Sequence, residues 1–385
     1  MGRTARNEKS TEISPTRSIH IEDLLGREPV CIREPESVAV IHGRVIMITG
    51  AGGSIGSELC RQILEAGPTM LLLVEQTENN LYDIHRELQQ DLKQVQIVPA
   101  IANVCDEQRM RELFRSYAPD IVFHAAAHKH VPMMEANPCE ALKNNTVGTR
   151  IVADLASEFH AQGFVLISTD KAVNPSSVMG ATKRLAEMYI QALQESSRTR
   201  FVSVRFGNVL GSLGSVIPLF QEQIDQGGPV TVTHPEMLRY FMTISEACQL
   251  VLEAGAIGQG GEILVLDMGE PLRILDLAKQ MIRWSGLEPG RDIKIEFTGT
   301  RPGEKLSEEL SSHHEVMDTT RCPQIFVHMP AGEQAWTTPQ ILRGIELALA
   351  DAANVSSHLE KLVTSYRPLT NTTLHGVEQQ QTATG

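Results

Sequence analysis

Val45–Glu75 reads VIMITGAGGSIGSELCRQILEAGPTMLLLVE, and the order of its parts decides the fold. Val45–Thr49 is a continuous apolar, β-branched run, which suits a strand covered on both faces of a parallel sheet. Glycines follow at once, with Gly50, Gly53 and Gly56 spaced G-x-x-G-x-x-G, and Ser57–Gly67 then reads as a helix. Met70–Glu75 is a second apolar run. Glycines at a strand–helix turn let the backbone approach a pyrophosphate, which rests against the N-terminus of the helix. Ser54 and Ile55 lie in that turn, and Glu75, at the end of the second strand, is placed to accept hydrogen bonds from ribose hydroxyls. Gln76 and Thr77 follow it with no adjacent Arg or Lys to hold a 2′-phosphate, which favours NAD over NADP.

The same rhythm runs outward. Gln96–Ala100, Asp120–His124, Gly163–Ser168 and Phe201–Phe206 read as further strands, and Glu78–Leu92, Glu107–Tyr117, Pro138–His160 and Ala181–Ser196 as the helices between them. Strands alternating with helices predict βαβ units and a Rossmann-like, doubly wound parallel sheet in the α/β class. The globular part is expected to begin near Arg44, so residues 43–208 form a dinucleotide-binding domain after an N-terminal extension, 1–42, in which Ile19–Cys31 forms at most a short amphipathic turn. After Asn208 the glycine- and proline-bearing segments, with helices at Ile244–Ala254 and Ile274–Ser285, suggest a smaller C-terminal α/β substrate lobe over 209–368, parts of which return to the first sheet. Ile341–Tyr366 reads as helical, able to pack on either lobe, and 369–385 as a flexible tail.

Composition bounds the function. Of 385 residues, 42% are hydrophobic and 21% charged, which is enough to bury a core, and 34 basic against 47 acidic side chains give a net charge of −13. Such a surface repels nucleic acid and anionic lipid. No apolar run approaches the roughly 18 residues of a membrane span. Met1–Glu12 is polar rather than a signal peptide. The cysteines at 31, 60, 105, 139, 248 and 322 are scattered without C-x-x-C or zinc spacing, so reduced thiols, no metal and a cytoplasmic location are expected.

A second constellation carries chemistry. Ser168-Thr169-Asp170-Lys171 closes one predicted strand, and Met179-x-x-x-Lys183 opens the following helix. Ala125, Ala126, Ala127 and Asn145 belong to the same carboxyl edge of the sheet, where ligands bind in folds of this kind. Asp170 beside Lys171 is either a solvated pair at a turn or an acid–base couple.

TGAGGSIGSEL, HAAAHKHVPMME, NNTVGT, STDKAVNPSSVMGATKRLAE, RFGNVLGSLGSVIPLF, RYFMTISEA and RPGEKLSEEL occur in that order. Together they resemble the nucleotide-sugar 4,6-dehydratases of the extended short-chain dehydrogenase/reductases, nearest to the bacterial UDP-N-acetylglucosamine 4,6-dehydratases of polysaccharide biosynthesis. The resemblance runs from about Ile19 to Pro368. Larger members of that branch carry N-terminal membrane helices and a further domain; this chain is read as lacking both, with Ile19–Val30 resembling the linker after them. The superfamily's Tyr-x-x-x-Lys is here Met179-x-x-x-Lys183, and Met has no proton to exchange. A branch with Met at this place retains the sugar's C5 configuration, which the resemblance implies here.

The implied reaction oxidises C4 of the hexose with NAD, removes water across C5–C6 and reduces C6. By resemblance Lys171 takes H5, Asp170 protonates the leaving 6-hydroxyl, Thr169 bonds the 4-oxygen, Lys183 holds the nicotinamide ribose and Met179 fills space. Asn103 and Val104 stand near the adenine, with Asn103 replacing the usual Asp. Asn208, Arg239 and Arg301 are implied at the substrate diphosphate, Glu304 at the nucleoside ribose or Arg301, and Lys129 and His130 at the sugar. Leu213, Leu238 and Ser307 depart from the family pattern in the substrate lobe. The implied substrate is a UDP-sugar and the implied assembly a homo-oligomer. A 4-epimerase, a C5-inverting dehydratase and a silent NAD- or nucleotide-sugar-binding protein are the competing readings.

Overall fold

The apolar runs become neighbouring strands of one sheet. The computed structural model describes residues 35–90, 95–311, 315–330 and 336–369. Its strands β1 (Val45–Thr49), β2 (Met70–Glu75), β3 (Gln96–Ile101), β4 (Ile121–His124), β5 (Gly163–Ile167) and β6 (Arg200–Arg205) are parallel and lie in the order 3-2-1-4-5-6. Beyond β6 the chain returns to this sheet. Ile263–Leu266 adds a parallel strand, and Ile325–Pro330 and Glu315–Thr319 extend it antiparallel. The strand order reverses between β1 and β4, which opens a crevice at their carboxyl ends.

Alternation along each strand builds two cores. Met47, Leu72, Val122, Phe164 and Phe201 face one side, under the helices Glu107–Tyr117, Gly148–Glu158 and Val178–Gln194. Ile46, Ile48, Leu71, Phe123, Val165 and Val204 face the other, under Ser54–Glu65, Glu78–Leu88 and Ile244–Ile257. A third, smaller core joins Ile217, Phe220 and Ile224 to Val230, Val232, Leu277 and Ile282. It lies in the α/β lobe formed by helices Val216–Asp225 and Ile274–Trp284 with strands Val230–Val232 and Ile295–Phe297.

Four boundaries differ from the sequence reading. The ordered chain precedes Arg44: helix Pro35–Ile41 docks on Ile244–Ile257 and buries Ile41, while Ile19–Cys31 lies outside the described residues. The helix from Glu78 ends at Leu88. Pro138–His160 is not one helix but Pro138–Ala141, a π-helical turn Leu142–Val147 and Gly148–Glu158. The wider turn carries Asn144 and Asn145, and such turns cluster at functional sites. Ile341–Tyr366 is two helices, Thr338–Ala350 and Val355–Leu362, parted at Asp351, and both pack on the Rossmann side beside Val178–Gln194.

Charged groups lie within the sheet's helical cover. Glu187, on helix Val178–Gln194, accepts from Ser168 Oγ (2.6 Å), Arg205 Nε (2.9 Å) and Arg205 Nη2 (2.7 Å), and from Arg184 Nη1 (3.1 Å). Burial pushes this carboxyl up, but the two guanidinium groups and the serine outweigh it and hold it below the usual range. The cluster joins the ends of β5 and β6 to the helix behind them. Removing the carboxylate leaves two buried cations short of their counterion, so Glu187→Ala is expected to lower unfolding free energy by about 3–5 kcal/mol in urea titrations; a loss below about 1 kcal/mol contradicts this account.

Candidate functional site

At the carboxyl end of β1 the chain turns through Gly50, whose φ of +68° favours glycine. A Cβ there would lie 2.8 Å from Ala126 N, and one on Gly56 would collide with the Gly50 carbonyl. Gly53 differs. Its backbone is extended, and an added Cβ would meet only Gly50 O, at a tight 3.3 Å, at the start of helix Ser54–Glu65. No side chain caps that helix, so its first amides are available to an anion.

A cleft of about 240 Å³ continues from this turn, lined by Gly50, Gly53, Glu75, Val104 and Ala125–Ala127. Glu75 accepts from Gly52 N (3.2 Å) and Thr77 N (3.0 Å), so its carboxylate braces the glycine turn from the end of β2. The cleft is also lined by Gln76, Thr77, Asn80, His128 and Asn144, which sequence reasoning did not single out. Asn80 offered no signal, because only helix packing places it against Gly52. Asn103 and Asn145 are not among the lining residues. Asn103 is exposed, and its side-chain oxygen accepts from Cys105 N (2.8 Å). Asn145 is buried beneath the cleft, where it accepts from His128 N (2.8 Å) and donates to His128 O (3.0 Å) and Thr182 Oγ1 (3.1 Å). It therefore holds the loop after β4 in place.

The second constellation forms a compact centre at the ends of β5 and β6. Asp170 is fully buried; its Oδ1 accepts from Thr169 Oγ1 (2.9 Å) and Lys171 Nζ (2.9 Å), while its Oδ2 has no hydrogen-bond partner. Lys171 Nζ also donates to Asn208 Oδ1 (3.2 Å). Lys183 donates to Ile167 O (2.7 Å), and burial pushes its ammonium down to about 8, an effect that Glu187 opposes. Met179, one helical turn before Lys183, is buried in the hydrophobic core. Thr169, Asp170, Lys171, Met179 and Lys183 span fourteen positions of the chain, and the turn at Asp170–Ala172 packs on the helix Val178–Gln194 that follows it.

Other segments close over this centre. Lys129 Nζ donates to Leu213 O (2.7 Å), and Leu213 N donates to Ser54 Oγ (3.1 Å), so the loop around Leu213 is tied to both rims of the cleft. His130 lies against Gly214, and burial, then Lys129 and Arg301, hold its imidazole below the usual range. Arg239 is placed differently from the sequence expectation. It is buried, and its guanidinium donates to the carbonyls of Leu238 (2.6 Å), Lys305 (2.9 Å) and Leu306 (3.3 Å), with Glu304 at 3.7 Å. It thus clamps the RPGEK loop, whereas Arg301 in that loop is exposed, with its backbone N–H on Glu304 (3.2 Å). Near the end of the described chain, Arg367 N and Leu369 N donate to Pro175 O and Ser176 O, and Gly303 N to Leu369 O, which locks the loop after Lys171.

A glycine turn with an uncapped helix after it and a buried Asp–Lys pair thus lie on one parallel sheet, and comparison with known proteins places the chain. Residues 46–330 match the family described as Polysaccharide biosynthesis protein. The chain belongs to that family. It is 56% identical over 307 residues to the capsular polysaccharide biosynthesis protein CapD of Staphylococcus aureus, covering 79% of this chain and 51% of that protein. The chain thus spans about half the length of the curated relatives it matches first. The UDP-N-acetylglucosamine 4,6-dehydratase (inverting) of Campylobacter jejuni is 32% identical, over 71% of this chain and 79% of that one. Among solved structures, Pen from Bacillus thuringiensis superposes with a TM-score of 0.69 at 34% identity, covering 77% of this chain and 91% of that chain. The family is a nucleotide-sugar dehydratase and epimerase branch of the extended short-chain dehydrogenase/reductases. Among the described residues no helix is long and apolar enough to cross a membrane.

The family's nucleotide turn leans on a buried histidine. His124 at the end of β4 meets Thr49 Oγ1 (2.8 Å) and Thr149 Oγ1 (3.1 Å), and Thr149 donates to Asn145 O (2.7 Å). Burial, then the nearby Lys183 charge, push His124 down to about 3, so its ring stays neutral. An unfolded histidine protonates near pH ~6.5, so the stability due to this neutral burial is complete above that pH and is lost as pH falls toward about 3. NMR should show a His124 ring that does not titrate through the neutral range, and His124→Asn should flatten the acid limb of stability against pH. A ring titrating near pH ~6.5 contradicts this packing.

Proposed function

We propose that the chain is a UDP-N-acetylglucosamine 4,6-dehydratase that keeps the C5 configuration and uses bound NAD. The observation that carries this reading is the buried Asp170–Lys171 pair, joined by Asn208, on the turn after β5 that packs against the helix bearing Lys183. The fit of NAD rests on the uncapped helix N-terminus, Gly53 at its start and the Glu75 carboxylate at the strand end. Glu75 receives ribose hydroxyls on lone pairs left by its two amide donors. A 2′-phosphate would meet this carboxylate, so NADP binds more weakly. When bound, NAD accepts a hydride from C4 of the hexose and gives one to C6.

The protein groups do the rest. Lys171, with two Nζ positions engaged by Asp170 and Asn208, presents its remaining one to H5. Asp170, with Oδ2 unpartnered, gives its proton to the departing 6-oxygen. Thr169 bonds the 4-oxygen. Lys183, neutral or charged within a narrow pH range, supports the nicotinamide ribose. Met179 contributes volume and no proton. Arg301, exposed and free to turn, and Asn208 hold the diphosphate, with Lys129 and His130 at the sugar.

Incubation with UDP-N-acetylglucosamine, followed by NMR of the product, is expected to show a 4-keto-6-deoxy sugar with unchanged C5; an altered 4-hydroxyl with oxygen retained at C6 makes the protein an epimerase, and no change makes it a binding protein. Gly53→Val crowds only the Gly50 carbonyl, at 3.3 Å from its Cβ, and fills the face of the turn, so this variant should stay folded and lose NAD. Dinucleotide retained at wild-type occupancy moves the cofactor elsewhere.

Met179→Leu nearly conserves volume and should keep most of the steady-state rate, since such exchanges usually cost under about 1.5 kcal/mol. Lys171→Ala should abolish exchange of H5 with deuterated solvent. A slowed but folded, cofactor-loaded Leu variant gives Met179 another role, and undiminished exchange in the Ala variant passes the base's role to Lys183.

A further inference from the structure

Glu135 ends the motif HAAAHKHVPMME, and neither the sequence reading nor the proposed steps give it a task. It stands half-buried on the short helix Val131–Ala136, which follows Lys129 and His130. Its Oε1 accepts the backbone N–H of Val178 at 2.7 Å, from a residue 43 positions away. Val178 opens the helix Val178–Gln194, and the first amides of a helix have no partner within it. Ser177 Oγ accepts the Gly180 amide of the same turn (3.1 Å). One of these donors is thus held by the neighbouring residue and another by a side chain from a separate helix.

That first turn bears directly on the Asp170–Lys171 pair. A Cβ on Gly180 would collide with the Lys171 carbonyl and lie 3.2 Å from Pro175 Cβ, so glycine lets the helix rest on the backbone of Lys171. One turn later, Lys183 Nζ donates to Ile167 O at the end of β5 (2.7 Å). The helix therefore meets the 167–171 stretch at two carbonyl oxygens, one on each side of Asp170. The RPGEK loop closes on the same place. Gly303 has a φ of +74°, and a Cβ there would lie 2.7 Å from Ser177 Cβ and 2.9 Å from Glu135 Oε1. Ser176 Oγ donates to Gly303 O (2.9 Å).

We propose that Glu135 is a positioning residue for the Asp170–Lys171 pair: by holding the Val178 amide it sets where the helix start lies, and so where the Lys171 backbone rests upon it. Because Glu135 shares a short stretch of chain with Lys129 and His130, the same hydrogen bond registers that stretch against the pair. What the geometry requires is an oxygen acceptor of the right reach, not a negative charge. Its effect on turnover rests on the dehydratase reading; its effect on the turn at 170–173 does not.

Glu135→Ala removes the acceptor, Glu135→Gln keeps an oxygen at the same reach, and Glu135→Asp draws it back by one methylene. With UDP-N-acetylglucosamine, the Ala and Asp variants are expected to lose about 10- to 100-fold in kcat with a much smaller change in KM, the size of effect that a misplacement of about 1 Å produces. Exchange of H5 with deuterated solvent should slow in step, and the Gln variant should restore both. A second readout needs no substrate. Amide hydrogen exchange read by mass spectrometry should quicken in the Ala variant at 178–181 and also at 170–173, where Ala172 N and Val173 N are held by Thr169 O and Asp170 O. The Gln variant should match wild type at both. Faster exchange confined to 178–181 marks Glu135 as a helix cap alone and overturns the proposal. A Gln variant as slow as the Ala variant also overturns it, because charge rather than reach then matters. So does a rise in KM with kcat unchanged, which assigns Glu135 to the RPGEK loop through Gly303. If the Ala variant does not fold, Asp against Gln makes the same comparison. Wild-type protein that fails to make the keto sugar refutes the dehydratase reading, and the exchange at 170–173 still decides whether Glu135 holds the pair in place.

Discussion

A fully buried aspartate in contact with a lysine is costly to assemble, because both charges leave water. Asp170 and Lys171 meet at 2.9 Å in a place where most of the surrounding structure is occupied with holding them. The backbone N–H of Asp170 is on Phe206 O, and that of Ser168 is on Val204 O, so the loop is registered on β6. Below it, Glu187 gathers Ser168, Arg205 and Arg184. Attraction and hydrogen bonds offset desolvation here only because the geometry is kept by the sheet and the helix together. The pair can then serve as an acid and a base without a large rearrangement.

The enclosure of this pair comes from chain segments far apart in sequence. The loop after β6 brings Asn208 to Lys171 and carries Leu213 across to Ser54 and Lys129. The RPGEK loop returns nearly a hundred residues later, fastened by Arg239 through carbonyl oxygens and by Ser176 Oγ on Gly303 O. Residues 367–369 then cross the same loop by backbone hydrogen bonds. Small segments therefore exclude water from one charged centre, while the two large cores lie behind it. The glycine turn is built in a similar manner, with Glu75 and Asn80 set against Gly52 and Ala126 against Gly50.

Much of this was legible beforehand. Strands buried on both faces read as unbroken apolar runs, and the βαβ rhythm dictates right-handed crossovers, so β1 to β6 and the doubly wound sheet were legible in the chain, while their order came from the structure. The glycine spacing, Glu75, the Thr169–Lys171 triplet and Lys183 were visible as motifs. Helix ends were less so. The π-helical turn at Leu142–Val147 has ordinary helical composition, and within it Asn145 bonds the backbone of His128, a partner distant in sequence. The break at Asp351 lies in a continuous helical pattern, and Pro35–Ile41 is too short to show periodicity.

By itself, the sequence determined the parallel sheet, the glycine turn and the residue types of the Asp170–Lys171 centre, since these depend on local hydrophobic runs, glycine spacing and short motifs. The tertiary structure decided which polar groups are still free to act. Arg239 and Asn145 carry the right chemistry, yet their donors are engaged by carbonyls, and Arg301 alone of the two arginines is exposed. Glu308 is buried as well, with Arg239 Nη2 at 3.9 Å. Burial and hydrogen-bond saturation are properties of distant segments brought together, and no spacing along the chain encodes them.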